Sequence, residues 1–359
     1  MLRRKIADEL DCWQGSIERK ALFVTGSRQI GKSYSIREFG KSNYATYIEL
    51  NLAENRQAKD ALLGARDADD FISRVTLLTG KSIAPGKTLV FIDEVQEAPD
   101  IMTMAKFLVE DGRCRWAFSG SMLGTQFKGV RSYPVGYVHE LRMFPLDFEE
   151  FCWAIGVSEG ARQTIRDACI SEKPIPDYIH DAMMANFRTY TVVGGMPEVV
   201  QRFLDTRGDL ASVRQLQSEL NEQYRRDISK YASGRALQVQ SIYDQLPIML
   251  EGENKRFVLN SIDPKAYYEK YQRDFVWLVD AGVALKADIV TEPKSPLLKT
   301  ARPSQFKLYQ SDTGMLMAAT PLASPRRRIL IARNPIWAVF TKTWWPSSWL
   351  PKIASFTTI

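Results

Sequence analysis

Two kinds of hydrophobic pattern alternate through the first part of this chain. One is short and unbroken. Ala21-Leu22-Phe23-Val24-Thr25, Thr88-Leu89-Val90-Phe91-Ile92 and Arg115-Trp116-Ala117-Phe118 place apolar side chains at successive positions. Strands covered by helices on both faces read this way, because neither face meets water. Runs near residues 44–50 and 137–142 supply two more strands. The other pattern is helical. Ile6, Leu10 and Trp13 recur on one face of a helix predicted over 2–16, and Ser33 to Phe39 suits the first turns of another. Strands alternating with helices predict a five-stranded parallel sheet in a three-layer α/β/α arrangement.

Further along, residues 159–235 read as helices, with Gly194-Gly195 and Pro197 as breaks and Leu210 to Tyr231 as a long member. Residues 237–290 suggest a small winged-helix-like module. In it Ile242, Leu246 and Ile248-Met249-Leu250 are expected to face a core. Tyr268, Tyr271, Phe275 and Leu278 share one side of a helix, and Asp280-Ala281-Gly282 leads into the strand Val283-Ala284-Leu285. The expected domains are therefore a core at 1–156, a helical region at 157–235, the module at 236–295, the start of another domain at 296–332 and a tail at 333–359.

Chemistry enters between the first strand and the first core helix. Gly26-Ser27-Arg28-Gln29-Ile30-Gly31-Lys32-Ser33 fits the phosphate-loop pattern G-x-x-x-x-G-K-[ST] at every position. Gly26 and Gly31 let backbone N–H groups curl around a phosphate chain. Lys32 reaches the β- and γ-phosphates, and the Ser33 hydroxyl serves Mg²⁺. The phosphates would then lie at the positive end of the following helix. The run Thr88 to Ile92 ends in Asp93-Glu94, so a buried strand delivers two carboxylates to the same sheet edge. Asp93 is expected to hold Mg²⁺, and Glu94 to orient and deprotonate the attacking water. The third strand ends in Ser119-Gly120-Ser121, where Ser119 and Ser121 are candidate sensors of the γ-phosphate. A carboxylate pair in that place favours hydrolysis over phosphoryl transfer to a small acceptor, and the long C-terminal part does not read as a kinase lid.

Composition narrows the partners. The 359 residues are 45% hydrophobic and 25% charged, as in a globular protein, and no apolar run reaches membrane-spanning length. The basic start Met1-Leu2-Arg3-Arg4-Lys5 is followed by Asp8, Glu9 and Asp11, which rules against the apolar segment of a signal peptide. A cytoplasmic protein with no membrane partner is expected. Cys12, Cys114, Cys152 and Cys169 form no close pair and read as reduced thiols. With His139 and His180 the only histidines, a zinc site is not expected. The net charge of +6 suggests nucleic acid until it is located. Arg326, Arg327, Arg328, Arg333, Lys342 and Lys352 follow the last acidic residue, Asp312, and account for the whole excess of 48 basic over 42 acidic residues. In the winged-helix-like module, Lys265, Lys270 and Arg273 are interspersed with Asp263, Glu269 and Asp274, a weak phosphate-binding face. DNA is the minor expectation there. Protein contact or plain packing is the stronger one.

Several segments together resemble a known group. Thr25 to Ser33, Phe91-Ile92-Asp93-Glu94-Val95-Gln96, Ser119-Gly120-Ser121, Pro145-Leu146-Asp147-Phe148-Glu149-Glu150-Phe151, Gly194-Gly195-Met196-Pro197-Glu198 and Lys307-Leu308-Tyr309-Gln310-Ser311-Asp312-Thr313-Gly314 are similar to the prokaryotic AAA-like P-loop ATPases that carry a C-terminal domain of unknown function. The resemblance spans residue 1 to about 325. It implies an AAA-like core of the additional-strand, catalytic-glutamate type, with the sensor strand lying between the phosphate-loop and Asp-Glu strands. It also implies ATP with Mg²⁺ as ligands and, by analogy, a homo-oligomer. Many relatives have Gly-Arg where this chain has Gly136-Tyr137, so Arg131, Arg142 or a neighbouring subunit must supply any arginine contact to nucleotide. The expected function is Mg²⁺-dependent ATP hydrolysis coupled to the C-terminal modules and an unknown protein partner. A nucleotide-dependent switch or DNA-associated regulator with little turnover is the alternative.

The tail departs from that pattern. Residues 333–359 contain no acid and hold Trp337, Trp344, Trp345 and Trp349, four of the eight tryptophans. Read from the third base of each codon, Asn334 to Pro346 can spell Asn-Leu-Gly-Gly-Ile-Tyr-Glu-Asn-Val-Val-Ala, which matches a helix that relatives carry there. A frameshift shortly before Arg333 is expected, against the alternative of a basic-aromatic anchor. Re-reading the DNA across this point decides between them.

Overall fold

The computed structural model describes residues 2–121, 134–232, 234–251, 256–292 and 295–320. Arg131 and the 333–359 tail lie outside them. Contacts divide the chain into two compact units, one of Arg4–Phe144 with Asp280–Gly282, the other of the remaining residues. The first unit ends at Phe144, somewhat before the expected limit of 156.

The first unit is built on five strands: β1 (Ala21–Thr25), β2 (Thr46–Asn51), β3 (Thr88–Asp93), β4 (Arg115–Gly120) and β5 (Val138–Arg142). Their order is β2-β3-β4-β1-β5, and every pairing is parallel. The strand with the candidate sensors thus lies between the phosphate-loop strand and the Asp-Glu strand, as the resemblance implies. Parallel neighbours need long crossovers, and α1 (Ile6–Gly15), α2 (Lys32–Asn43), α3 (Arg56–Leu63), α4 (Ala68–Thr79) and α5 (Ala105–Asp111) belong to the same unit. The unbroken apolar runs are buried at every position in β1 and β3. One core packs Phe23, Val90, Ile92, Phe118 and Trp116 against Phe71, Ile72 and Val75 of α4. The Trp116 ring meets Phe71 edge-on with centroids 5.6 Å apart. Asn55 and Asp67 cap α3 and α4 by accepting from backbone N–H groups, which satisfies donors that the helix itself leaves open.

The second unit is mainly helical: α6 (Phe148–Ala154), α7 (Glu159–Ser171), α8 (Asp177–Val193), α9 (Pro197–Asp205), α10 (Leu210–Tyr231), α11 (Ala236–Glu251), α12 (Tyr268–Asp280) and α13 (Thr313–Ala319), with an antiparallel pair, β6 (Ala284–Val290) and β7 (Ala301–Gln310). The 22-residue α10 spans the range its periodicity predicts. One expectation fails. Of Ile248-Met249-Leu250, Leu250 is buried but Ile248 is 56% exposed. Successive residues on a helix point about 100° apart, so three in a row cannot all face one core.

Three segments singled out in the sequence meet inside this unit. The Asp312 carboxylate accepts from the Gly195 N–H at 2.6 Å and from the Met315 N–H at 2.8 Å, the second bond capping α13. The Leu146 N–H donates to the Gly195 carbonyl at 2.7 Å. Glycine is required at both Gly194 and Gly195. Gly194 has φ +78°, and a Cβ there would lie 2.4 Å from Asp312 Oδ1; a Cβ on Gly195 would lie 2.0 Å from the Leu146 carbonyl. Around this junction Gln217 donates to the Val192 and Val193 carbonyls, Asn221 donates to the Met315 carbonyl, and Tyr243 donates to Asn221. Burial pushes the Asp312 carboxyl up to about 6, against three backbone N–H donors that pull it down.

Candidate nucleotide site

The residues of the phosphate-loop pattern gather at the carboxyl edge of the first unit's sheet. β1 ends at Thr25, and the loop turns back before α2 opens at Lys32. Gly26 has φ +140°, and a Cβ there would lie 2.3 Å from the Met143 carbonyl. Gly31 caps α2 at φ +91°, a left-handed conformation that glycine takes without strain. Gln29 takes φ +63° without that freedom. Ile30 is fully buried and anchors the loop, while the Gln29 side chain faces solvent.

Lys32 is 5% exposed, and its ammonium donates to the Gly26 carbonyl at 3.0 Å and the Ser27 carbonyl at 2.7 Å. Burial pushes its pKa down to about 8; Glu94 and Asp93 pull it up, and Arg28 pushes it down again. A buried ammonium costs roughly 3 kcal/mol on that scale. An anion brought beside it recovers that cost.

β3 ends at Asp93, 2% exposed and paired in register with Asn51. Its Oδ1 accepts from the Ser119 hydroxyl and from the Glu94 N–H at 3.0 Å. Among the described residues no hydrogen bond is made to its Oδ2. Ser119 of β4 is thus committed to the Asp93 carboxylate. Glu94 has φ +55°, in the left-handed region. A glutamate held there costs of order 1 kcal/mol, which the surrounding contacts must offset.

Two contributors escaped the sequence reading. Gln96 is 6% exposed; its amide nitrogen donates to the Glu94 carboxylate and, at 3.4 Å, to the Ser121 hydroxyl, and its amide oxygen accepts from the Ser121 N–H at 3.1 Å. Arg28 Nε also donates to the Ser121 hydroxyl, at 3.5 Å. A continuous chain therefore runs from the phosphate loop through Ser121 and Gln96 to Glu94. Arg4 donates to the Ile30 carbonyl at 2.8 Å and the Phe144 carbonyl at 2.7 Å, pinning the loop to the end of β5. Gln96 stood in a quoted segment without a role, and Arg4 read only as part of a basic terminus.

Arg142 pairs in register with Thr25 and is exposed, its guanidinium 5.3 Å from the Phe144 ring. Ser33 is half-buried in the first turn of α2. No group of three His, Cys, Asp or Glu side chains among the described residues gathers as a metal cluster. The donors suited to Mg²⁺ are fewer: a hydroxyl on Ser33, and the Oδ2 of a buried aspartate that has a cation but no hydrogen-bond donor beside it. That is the fit expected when substrate phosphates complete the coordination.

Residues 18–152 match the family model described as an AAA domain, and residues 184–326 match a domain of unknown function, DUF8612. Among curated proteins, none matches. Solved structures similar to the chain include Aeropyrum pernix Orc1 in complex with DNA, at 12% identity over 93% of this chain and 92% of that one with a TM-score of 0.36. Thermotoga maritima RuvB, a Holliday junction branch migration motor, aligns at 11% identity over 80% and 90% with a TM-score of 0.33. Domain III of the Thermotoga maritima replication initiation protein DnaA aligns at 14% identity over 60% and 92% with a TM-score of 0.32. The parallel sheet, the phosphate loop and the Asp93-Glu94 pair thus lie in an AAA domain, which is followed by a C-terminal domain of unknown function.

Proposed function

We propose that the first unit binds ATP with Mg²⁺ and hydrolyses it, and that nucleotide state is relayed to the C-terminal domain. The observation that supports this most is the grouping of Lys32, Asp93, Ser119, Glu94 and Gln96 at one sheet edge. The loop amides and Lys32 hold the β- and γ-phosphates. Ser33 and Asp93 Oδ2 hold the cation, which when bound would offset the charge that builds on the phosphate oxygens. Ser119 keeps Asp93 turned by occupying its Oδ1. Glu94 takes the proton of the attacking water. Gln96 orients the Glu94 carboxylate directly and is itself held by Ser121, and Arg28 reports the loop's conformation to that same serine. An arginine contact from Arg142, Arg131 or a neighbouring subunit completes the charge balance.

Phosphate release by wild type and Glu94→Gln, alongside ATP affinity at matched Mg²⁺, tests the reading. Turnover is expected to fall about a hundredfold or more while affinity stays within about threefold. Unchanged turnover removes Glu94 from the base role. A switch with little turnover is the second reading, supported by the commitment of the Ser119 hydroxyl to the Asp93 carboxylate. Negligible wild-type phosphate release, with and without DNA, alongside tight nucleotide binding would establish it in place of hydrolysis.

A further inference from the structure

A basic cavity lies at the edge of the same sheet opposite the phosphate loop. Its volume is about 310 Å³, and it opens where β1 and β4 begin, at Ala21, Arg115 and Trp116. Arg19, Lys20 and Arg115 contribute three cations to its walls, and none of its lining residues is a carboxylate. Lys20 is paired outside the walls, with Glu18 at 2.6 Å. Arg19 and Arg115 have no carboxylate partner among the described residues, and the Arg19 charge bears on the Arg115 guanidinium. Two like charges kept side by side without an acid are costly unless an anion joins them.

The hydrogen-bond inventory makes the same demand. Arg115 spends its Nη2 on the Trp13 carbonyl at 2.9 Å and stacks 4.4 Å from the Trp13 ring. Its Nε and the Tyr44 hydroxyl are buried and lie close enough to feel each other, yet neither makes a well-formed hydrogen bond among the described residues; the buried Trp116 indole nitrogen makes none either. All three belong to residues that line the cavity. Each of these atoms can donate, and buried donors are seldom left without an acceptor. Trp116 follows Arg115 on the strand and packs on Phe71 on the other face of the sheet, because successive strand side chains alternate. What the Arg115 and Tyr44 pair lacks is an oxygen-rich anion.

The geometry points to a binding site for a phosphate group in this cavity, separate from the nucleotide site. With Lys20 and Glu18 cancelling, Arg19 and Arg115 leave two positive charges, which match a phosphate dianion. Arg115 Nε, the Tyr44 hydroxyl and the Arg19 guanidinium supply more donors than a carboxylate's two oxygens would use, and three terminal phosphate oxygens suit them better. The cavity is large enough for a sugar phosphate as well as the free ion.

The test is calorimetric titration of the full chain with inorganic phosphate and, separately, with ribose 5-phosphate. Saturating ADP and Mg²⁺ block the phosphate loop throughout. Saturable binding is expected with ADP present. Arg19→Ala, at an exposed position, and Tyr44→Phe should each weaken it by about fivefold or more. These variants are chosen over Arg115→Ala, which would also lose the Trp13 carbonyl. Tighter binding of the ester assigns the site to a phosphorylated metabolite, and equal binding assigns it to the free ion. Absence of saturable binding overturns the proposal. So does equal affinity in wild type and both variants, which would mean an adventitious ion only.

Discussion

Asp93 and Asp312 are each 2% exposed, yet their surroundings put the two carboxylates to opposite uses. Asp312 has both oxygens committed to backbone N–H groups, one from Gly195 and one from Met315, and burial holds its pKa up to about 6. Asp93 accepts on one oxygen from Ser119 and Glu94, with the Lys32 ammonium near enough to feel its charge. A carboxylate with both oxygens held by rigid backbone donors holds the chain together. One with an uncommitted oxygen beside a buried cation can take a metal ion. Burial alone does not separate structure from chemistry. The identity of the donors does.

Substitution should divide the two cleanly. Asp93→Asn is expected to lower Mg²⁺-dependent phosphate release by a factor of about a hundred or more, while the thermal midpoint stays put or rises, because functional groups are often held at a cost to stability. A large fall in the midpoint would make Asp93 a structural residue and break the contrast. Asp312→Ala should do the reverse. It strands the Gly195, Gly314 and Met315 N–H groups and removes a helix cap, a loss of about 3 kcal/mol or more in denaturant unfolding. Its dependence on pH has a definite sign. The folded pKa lies above the ordinary value of 3.8, so the group adds stability that is fully present below about 3.8 and is lost as pH rises through 6. The gap between wild type and Asp312→Ala should therefore widen as pH falls from 7 to 5. A gap that narrows would contradict the raised pKa.

Smaller effects sharpen the account of the nucleotide side. Gln96→Met keeps the length and removes the amide, so kcat should fall by about tenfold with ATP affinity unchanged. A parallel loss of affinity would make Gln96 merely a prop for the loop. The Lys32 ammonium, lowered to about 8, should be drawn back up by bound phosphates, so binding takes up a proton above that pH. ATP affinity is expected to fall by up to about tenfold between pH 8 and 9 and to be flat from 6 to 7. Titrations in two buffers of different ionisation enthalpy would detect the proton, and a flat profile to pH 9 would rule the shift out.

Much of the first unit was readable before the structure. Unbroken apolar runs locate β1, β3 and β4, and the phosphate loop follows β1 directly, so its chemistry lies in contiguous residues. The second unit was harder. Its helices are legible from their period, but the period does not tell which face meets which neighbour, and Ile248 shows how a run of three apolar residues misleads. The Gly194-Gly195 and Ser311-Asp312-Thr313-Gly314 segments stand out as unusual without any local sign of what they touch.

The chain's own order of residues determined the strands, the glycine-bearing turn that lets amides face a phosphate, and the delivery of Asp93 and Glu94 to a strand end. These follow from backbone preferences and from burial on two faces, which act over a few neighbouring positions. Packing alone settled that Gln96 holds Glu94 and is braced by Ser121, that Arg4 pins Ile30 to Phe144, and that Asp312 closes on Gly195. Those contacts join residues between 2 and 140 positions apart, and the partner at the far end is chosen by the shape of the folded core. No periodicity along the sequence carries that information.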